Sequence, residues 1–403
     1  MTLKFSKFIL VGILLSFGFI ISSCIKDITE TNKDNTDRIV KVFGGSNIDM
    51  GTGITACNDG GFAIAATMKT SAYLSQAVLI RTDKYGNNLP WSPFYLDDTT
   101  STTAYHLLSV SDGGFLITGS ILKKESGFNN LDVMVAKVKA DGTIAWLKSY
   151  GGKDNDEGYC SVELNDGSFM IGGYTSSFGH GKKDAYVIKI NNNGTIIQSF
   201  TYGGTEDDEC RSLIDFGTRM LLVGSSKSFQ AAYQNIFIAK IKDDNGGIID
   251  NVLISGTSDL KGVKALMEPN GDIDVMSNYS ANNSNSGIYM LKLDSGNIHT
   301  FKTAPKFVVS NNNTLQQMSG NDILINNDKL IILGTSGTTS DYNYLLLNID
   351  LNFNMISQQI FNSSGNQTAQ SGALTSDGKI AFTGSNVIGG ISKISLIKTD
   401  LPK

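Results

Sequence analysis

The chain has 403 residues, a formal net charge of −5, 40% hydrophobic residues and three histidines. That length is ample for a large buried core. A mildly acidic protein lacks the basic footprint that nucleic acid requires, so no nucleic-acid partner is expected, and three scattered histidines make no metal-ligand spacing.

Residues 1–23 read as an export signal. Lys4 and Lys7 form a positive start, and Phe8 to Ile21 is an apolar stretch too short for a comfortable membrane span. Ile21-Ser22-Ser23-Cys24 resembles the bacterial lipobox, in which the cysteine is acylated and begins the mature chain. The resemblance implies a lipoprotein held to a membrane through Cys24, since two or three acyl chains anchor stably where one does not. Removing residues 1–23 leaves 380, takes away two lysines and no acids, and moves the formal charge from −5 to −7. Residues 24–37 are the acylated cysteine and a polar tether without apolar periodicity. Residue 25 is Ile, not the Asp that retains Gram-negative lipoproteins in the inner membrane. The outer membrane is therefore the expected location, on its periplasmic side or at the cell surface.

From residue 38 onward the chain repeats itself. A strand ending in a basic residue recurs at Arg81, Lys137, Lys189, Lys240, Lys292, Asn348 (where the base is lost) and Lys398, at intervals of 56, 52, 51, 52, 56 and 50. A second series keeps step with it: Asp59-Gly60, Asp112-Gly113, Asp166-Gly167, Phe216-Gly217, Asn270-Gly271, Asn327-Asp328 and Asp377-Gly378. Two series with one period of about 50 residues mean one supersecondary unit copied seven times.

One unit runs from Trp146 through Ile197. Trp146 to Tyr150 is a strand, broken by Gly151-Gly152 and an acidic loop. Tyr159 to Leu164, Ser168 to Tyr174 and Ala185 to Asn191 are three more. Asp166-Gly167 and Asn193-Gly194 supply the positive φ angles of tight hairpin turns. Tyr186, Val187, Ile188 and Ile190 make the last strand apolar on both faces, which a half-solvated sheet would not be. Four-stranded sheets stacked in a ring explain this; an open β-solenoid would need shorter repeats and capping units.

The ends of the repeated region decide for a ring. Arg38 to Phe43, followed by Gly44-Gly45, matches Trp146 to Tyr150, followed by Gly151-Gly152. It is a closing strand without a body before it, while Ser395 to Lys398 has no closing strand after it. Pairing the two removes both open edges. The expected fold is all-β: residues 38–403 form a seven-bladed β-propeller of four-stranded antiparallel blades, closed by the N-terminal strand. The region resembles the β-propeller repeats of secreted and lipid-anchored Bacteroidota proteins, whose pattern W…YGG…DE…S…DGGF…G…S…G…D…IKI…NG is followed closely by residues 146–194. That resemblance implies the fold and no activity. A weaker likeness, through Ala140 to Trp146, is to tryptophan-docked quinoprotein repeats. Only Trp91 and Trp146 occupy that phase, which speaks against a full quinoprotein ring.

Two acidic links stand out: Lys153 to Glu157, with Asp154, Asp156 and Glu157, and Thr205 to Glu209, with Glu206, Asp207, Asp208 and Glu209. Clustered carboxylates could hold Ca²⁺. The plainer expectation is that one acid per repeat orders its link through backbone hydrogen bonds and the others are solvated or form a binding rim, with no metal assigned. The loop from Ser177 to Lys183, with His180, is expected on the opposite face. Cys160 and Cys210 each lie seven residues before Gly167 and Gly217, so they are expected at equivalent places on adjacent inner strands, as buried thiols. The recurring basic residues, present in almost every copy, read as structural, and Trp91 and Trp146 as packing anchors. No catalytic residue and no cofactor is assigned. The expected role is a lipid-anchored, non-enzymatic module binding protein or glycan; a glycan hydrolase or lyase and an outer-membrane assembly scaffold are the alternatives.

Overall fold

Alternation of apolar strands with tight turns produces seven four-stranded antiparallel sheets, all strand and turn, in a computed structural model. It describes residues 38–402 apart from Ser46, Trp91, Asp98 and residues 126–127, 230–231, 281–285, 309–316, 339–340 and 362–364. Blades are numbered by their innermost strands, Asp49–Ala56, Thr102–Ser109, Asp156–Glu163, Asp208–Asp215, Asp259–Met267, Gln317–Asn326 and Gln367–Leu374. Blade 3 continues outward through Phe169–Thr175, Asp184–Ile190 and Ile196–Tyr202. Its two hairpin turns place Gly167 and Gly194 at φ +76° and +75°, as the Asp-Gly and Asn-Gly pairs require. Where blade 6 lacks that glycine, Phe353 takes φ +63° with its ring buried.

The third strand is apolar on both faces because it serves two interfaces. Val187 packs with Met170 against Met220 and Leu222 of blade 4. Tyr186 and Ile188 pack with Phe169 and Ile171 against Leu116 and Val133 of blade 2. Each such side chain stabilises the fold by about 1.5–3 kcal/mol relative to exposure.

The ring closes as expected. Ile39–Phe43 pairs antiparallel with Ile391–Thr399, from Ile39 opposite Lys398 to Phe43 opposite Ile394, and completes blade 7. Gly86 of blade 1 packs on Ile39 and Lys41, as Gly194 packs on Trp146 and Lys148. The closing strand thus sits against its neighbour as a continuous outer strand does.

The two sequence series meet at the ends of the blades. Arg81, Lys137 and Lys398 are ion-paired to Asp59 (2.7 Å), Asp112 (2.6 Å) and Asp377 (2.7 Å) of their own blades. Blade 4 has no acid in that turn, and Lys240 donates instead to the Ser295 carbonyl of blade 5 (2.6 Å). Asn348 Nδ2 donates to the Pro402 carbonyl (3.0 Å).

The expected equivalence of Cys160 and Cys210 is corrected. Asp156 and Asp208 open their strands, so Cys160 aligns with Ser212 and Cys210 with Gly158. The turn at residues 216–218 is shorter than that at 164–168, so counting back from the turn misplaces the register. Both cysteines are free, buried thiols. Burial, and then Cys160 beside it, pushes the Cys210 thiol well up, which makes it a poor nucleophile. The two sulfurs converge over Gly172, where a Cβ would lie 2.6 Å from Cys210 Sγ and 2.8 Å from Cys160 Sγ. Gly172→Ala is expected to cost about 1–3 kcal/mol through overpacking. Urea unfolding measures this, and an unchanged midpoint would mean that the thiols can part freely.

Candidate functional site

Every innermost strand carries a β-bulge at the same place. The register slips between Gly51 and Gly53, Ala104 and His106, Gly158 and Cys160, Cys210 and Ser212, Gly262 and Lys264, Gly320 and Asp322, and Ala369 and Ser371. The extra residues are Thr52, Tyr105, Tyr159, Arg211, Val263, Asn321 and Gln370. All seven line one cavity of about 220 Å³ on the ring axis. A bulge re-aims a side chain, and one repeated in every blade is a device of the fold. The residue before it is always small. A Cβ on Gly158 would sit 2.7 Å from Thr118 Cγ2 and 2.9 Å from Val133 Cγ1, both of blade 2. Small residues therefore let the blades close around the axis, while the bulged residues vary freely and make the site.

Their variation is lopsided. Tyr105 and Tyr159 meet edge to face at 5.3 Å between centroids. The Arg211 guanidinium lies 3.8 Å over the Tyr159 ring. Arg211 Nη2 donates to Glu209 Oε2 (2.8 Å), and Ser225 Oγ donates to Glu209 Oε1 (2.9 Å), with Lys261 Nζ at 3.2 Å. Burial works to raise the pKa of Glu209, but Arg211 and Lys261 hold it below the ordinary carboxylate value. The Tyr174 hydroxyl donates to Glu157 Oε1 (2.8 Å). Burial pushes the phenols of Tyr105, Tyr159 and Tyr174 up.

Deeper in the channel, His106 Nδ1 lies 3.0 Å from Ser161 Oγ. Enclosure by the seven strands, aided by Lys264, pushes His106 down to about 3, so it is neutral at physiological pH. Lys264 Nζ is 3.6 Å from Asp322 Oδ1, and Asp322 Oδ2 accepts from the Gly372 amide (3.0 Å) and Ser371 Oγ (3.2 Å). A second cavity, of about 330 Å³, adjoins the channel beside blades 6 and 7 and shares Asn321 and Gln370 with it. Its remaining walls include Gln317, Ser319, Thr335, Tyr342 and Thr368, and none of its lining residues is charged.

The acids singled out in the sequence divide three ways. Asp156 and Asp208 are buried and hold their links. Asp156 Oδ2 accepts from the Gly152 amide (2.9 Å) and Ser177 Oγ (2.8 Å), and Asp208 Oδ2 from the Gly204 amide (2.8 Å) and Ser228 Oγ (2.7 Å). Glu157 and Glu209 join the tyrosine and arginine cluster on the inner strands. Asp154 is exposed, while Glu206 and Asp207 are half-buried, Glu206 pairing with Lys182 (2.6 Å). That pairing corrects the expected position of the His180 loop. Ile144–Tyr150 belongs to blade 2, so residues 176–183 join the second and third strands of blade 3, not its third and fourth. They lie on the same face as the links, where the Asp208 amide donates to the Lys183 carbonyl (2.8 Å). Phe178 and the corresponding Phe229 are exposed there. Trp146 is a packing anchor whose Nε1 donates to the Asn192 carbonyl of blade 3 (2.9 Å). Cys24 and Trp91 lie outside the described residues.

The bulged residues were missed from the sequence. Their one local signal is a small residue followed by a larger one, as in Ala104-Tyr105, Gly158-Tyr159 and Cys210-Arg211, at the third or fourth residue of each inner strand.

No protein-family model and no curated protein sequence matches the chain. Among solved structures, it is similar to a protein of unknown function from Dyadobacter fermentans DSM 18053, with 10% identity and a TM-score of 0.52 over 91% of this chain and 99% of that one. The β-propeller domain of the Trilobed protease from Pyrococcus furiosus, which has an open velcro topology, is 8% identical with a TM-score of 0.52 over 89% and 96%. Puromycin hydrolase is 11% identical with a TM-score of 0.52 over 88% of this chain and 53% of the hydrolase. At these identities the likeness shows the propeller fold alone.

Proposed function

We propose that the chain is exported, acylated on Cys24 and held at the outer membrane, where its propeller acts as a non-enzymatic module binding a protein or glycan. Binding uses the face that bears the links and the mouth of the axial channel. The observation that carries this reading is the lopsided bulge ring. Seven equivalent positions that the fold leaves free hold Tyr105, Tyr159 and Arg211 side by side on blades 2 to 4, around the axial cavity. Aromatic and arginine side chains clustered at a concave opening are the usual anchors of recognition.

What favours binding over catalysis is the state of the only histidine in the channel. Its partner is a serine, but a base pushed down to about 3 is too weak to take the Ser161 proton at neutral pH. The lipid anchor rests on residues 21–24, by resemblance to the lipobox.

Cys24→Ala is expected to release the protein from membranes or to block its processing. Membrane fractionation with mass analysis of the N-terminus tests this, and unchanged attachment would defeat the anchor. The binding role is tested by retention of the chain without residues 1–24 on isolated envelopes. Arg211→Ala is expected to weaken retention, and equal retention of that variant would count against the channel mouth.

A further inference from the structure

We infer that the channel mouth, with the uncharged groove beside it, takes the end of a neutral oligosaccharide. This rests on the proposed binding role and deepens it.

The first ground is charge. The inner-strand side chains of the channel and its rim include three cations, Arg211, Lys261 and Lys264, and three anions, Glu157, Glu209 and Asp322, whose formal charges cancel; Lys183, from the loop before the third strand of blade 3, adds a cation over the outer Tyr174 ring. Each anion is engaged within the protein: Glu209 by Arg211 and Lys261, Asp322 by Lys264 and two donors of blade 7, Glu157 by the Tyr174 hydroxyl. A charged ligand would have to open one of these half-buried pairs and leave its partner uncompensated, which is costly. A neutral ligand leaves the pairs intact.

The second ground is the division of the walls. Blades 2 and 3 line the cavity with the rings of Tyr105 and Tyr159, the latter carrying the Arg211 guanidinium on one face, and an apolar C–H face can pack on the ring surface that remains. Blades 6 and 7 offer amides and hydroxyls: Asn321, Gln370, Gln317, Ser319 and Thr368. Asn321 is fixed by donation from its Nδ2 to the Ala369 carbonyl (2.7 Å), so the amide that lines both cavities is held in place. Amides and hydroxyls both donate and accept, which is the match for a hydroxyl-rich ligand that itself does both. Such a ligand keeps its own hydroxyls hydrogen-bonded as it leaves water, at no cost in charge. A sugar ring, with hydroxyls at its edge and C–H bonds on its face, fits walls divided in this way. The third ground is size. Cavities of about 220 and 330 Å³ lie below and at the small end of the ligand-pocket range, room for the end of a chain rather than its length.

The test applies the chain without residues 1–24 to an array of neutral and acidic oligosaccharides, with calorimetric titration of each hit. Binding to neutral members is expected. It should fall about tenfold with Gln370→Ala and with Tyr159→Ala, and hold with Tyr159→Phe, which keeps the ring. Thermal unfolding of each variant separates lost contacts from lost fold. Affinity should change by less than about twofold between about 50 and 500 mM salt, because no net charge is being neutralised. Binding confined to acidic glycans, strong salt dependence, or no binding to any neutral member overturns the inference. Envelope retention that protease removes and glycosidase spares would also overturn it, in favour of a protein partner, and would leave the binding role standing. Absence of any envelope retention would sink the binding role as well.

Discussion

Deletion of residues 39–43 is expected to lower the melting temperature by about 8 °C and to cause aggregation. The segment supplies the fourth strand of blade 7, paired residue for residue from Ile39–Lys398 to Phe43–Ile394. Ile39 and Phe43 pack against the cluster containing Phe62, Ile64 and Leu396, and Val40 against that containing Phe361 and Phe382. Losing three half-buried apolar side chains costs about 4 kcal/mol. In a chain this large, each kcal/mol moves the midpoint by about 2 °C. Aggregation follows because Ile391–Thr399 becomes an open, apolar edge, and such an edge recruits other chains. Calorimetry and light scattering measure both effects. A deletion as stable and soluble as the parent would mean that the ring does not depend on this closure.

Lys292→Met is expected to cost about 3–5 kcal/mol, because it leaves the buried Glu268 without its counter-charge. Lys292 is buried in blade 5 with its amine against Glu268 and 3.7 Å from Asp274 Oδ1, and both acids are nearly inaccessible. Burial, and then Glu268 beside it, pushes the Asp274 carboxyl up to about 8, while Lys292 works to lower it. The sign of the pH effect follows. Between an ordinary carboxylate value of about 4 and the raised folded value, the native state holds a proton that the unfolded chain lacks. This contribution is fully present below pH ~4 and is lost as pH rises towards the folded pKa. Removing Lys292 takes away what lowers that pKa, so the variant should lose more stability relative to the parent at pH 8 than at pH 5. Urea unfolding at the two pH values gives the difference directly and cancels groups common to both proteins. A penalty independent of pH would show that removing Lys292 does not move the Asp274 titration across this range. Glu268→Gln made together with Lys292→Met should recover part of the loss, since one uncompensated charge goes with it.

The architecture was legible in the sequence for physical reasons that act along the chain. A blade cannot bury its own faces, so the third strand must be apolar on both sides, as Tyr186, Val187 and Ile188 are. An unpaired closing strand at one end of the repeats and a missing one at the other specify closure, because open edges are a liability. The pairing of Arg81 with Asp59 and of Lys137 with Asp112 was implicit in two series of equal period, one basic and one acidic.

What only the tertiary structure decided is register and direction. A bulge exists between two strands, so nothing in Asp156–Glu163 alone reveals that Tyr159 is the extra residue. The same limit misplaced Cys210 against Cys160, since a shorter turn shifts the count while hydrogen bonding holds the strands in place. The acidic links show it most clearly. Asp156 and Glu157 are adjacent in sequence and chemically alike, yet one is sealed under its link and the other lies beside the channel. Successive side chains of a strand point to opposite faces. Which face meets the channel and which meets the next blade is set only when seven sheets close into a ring.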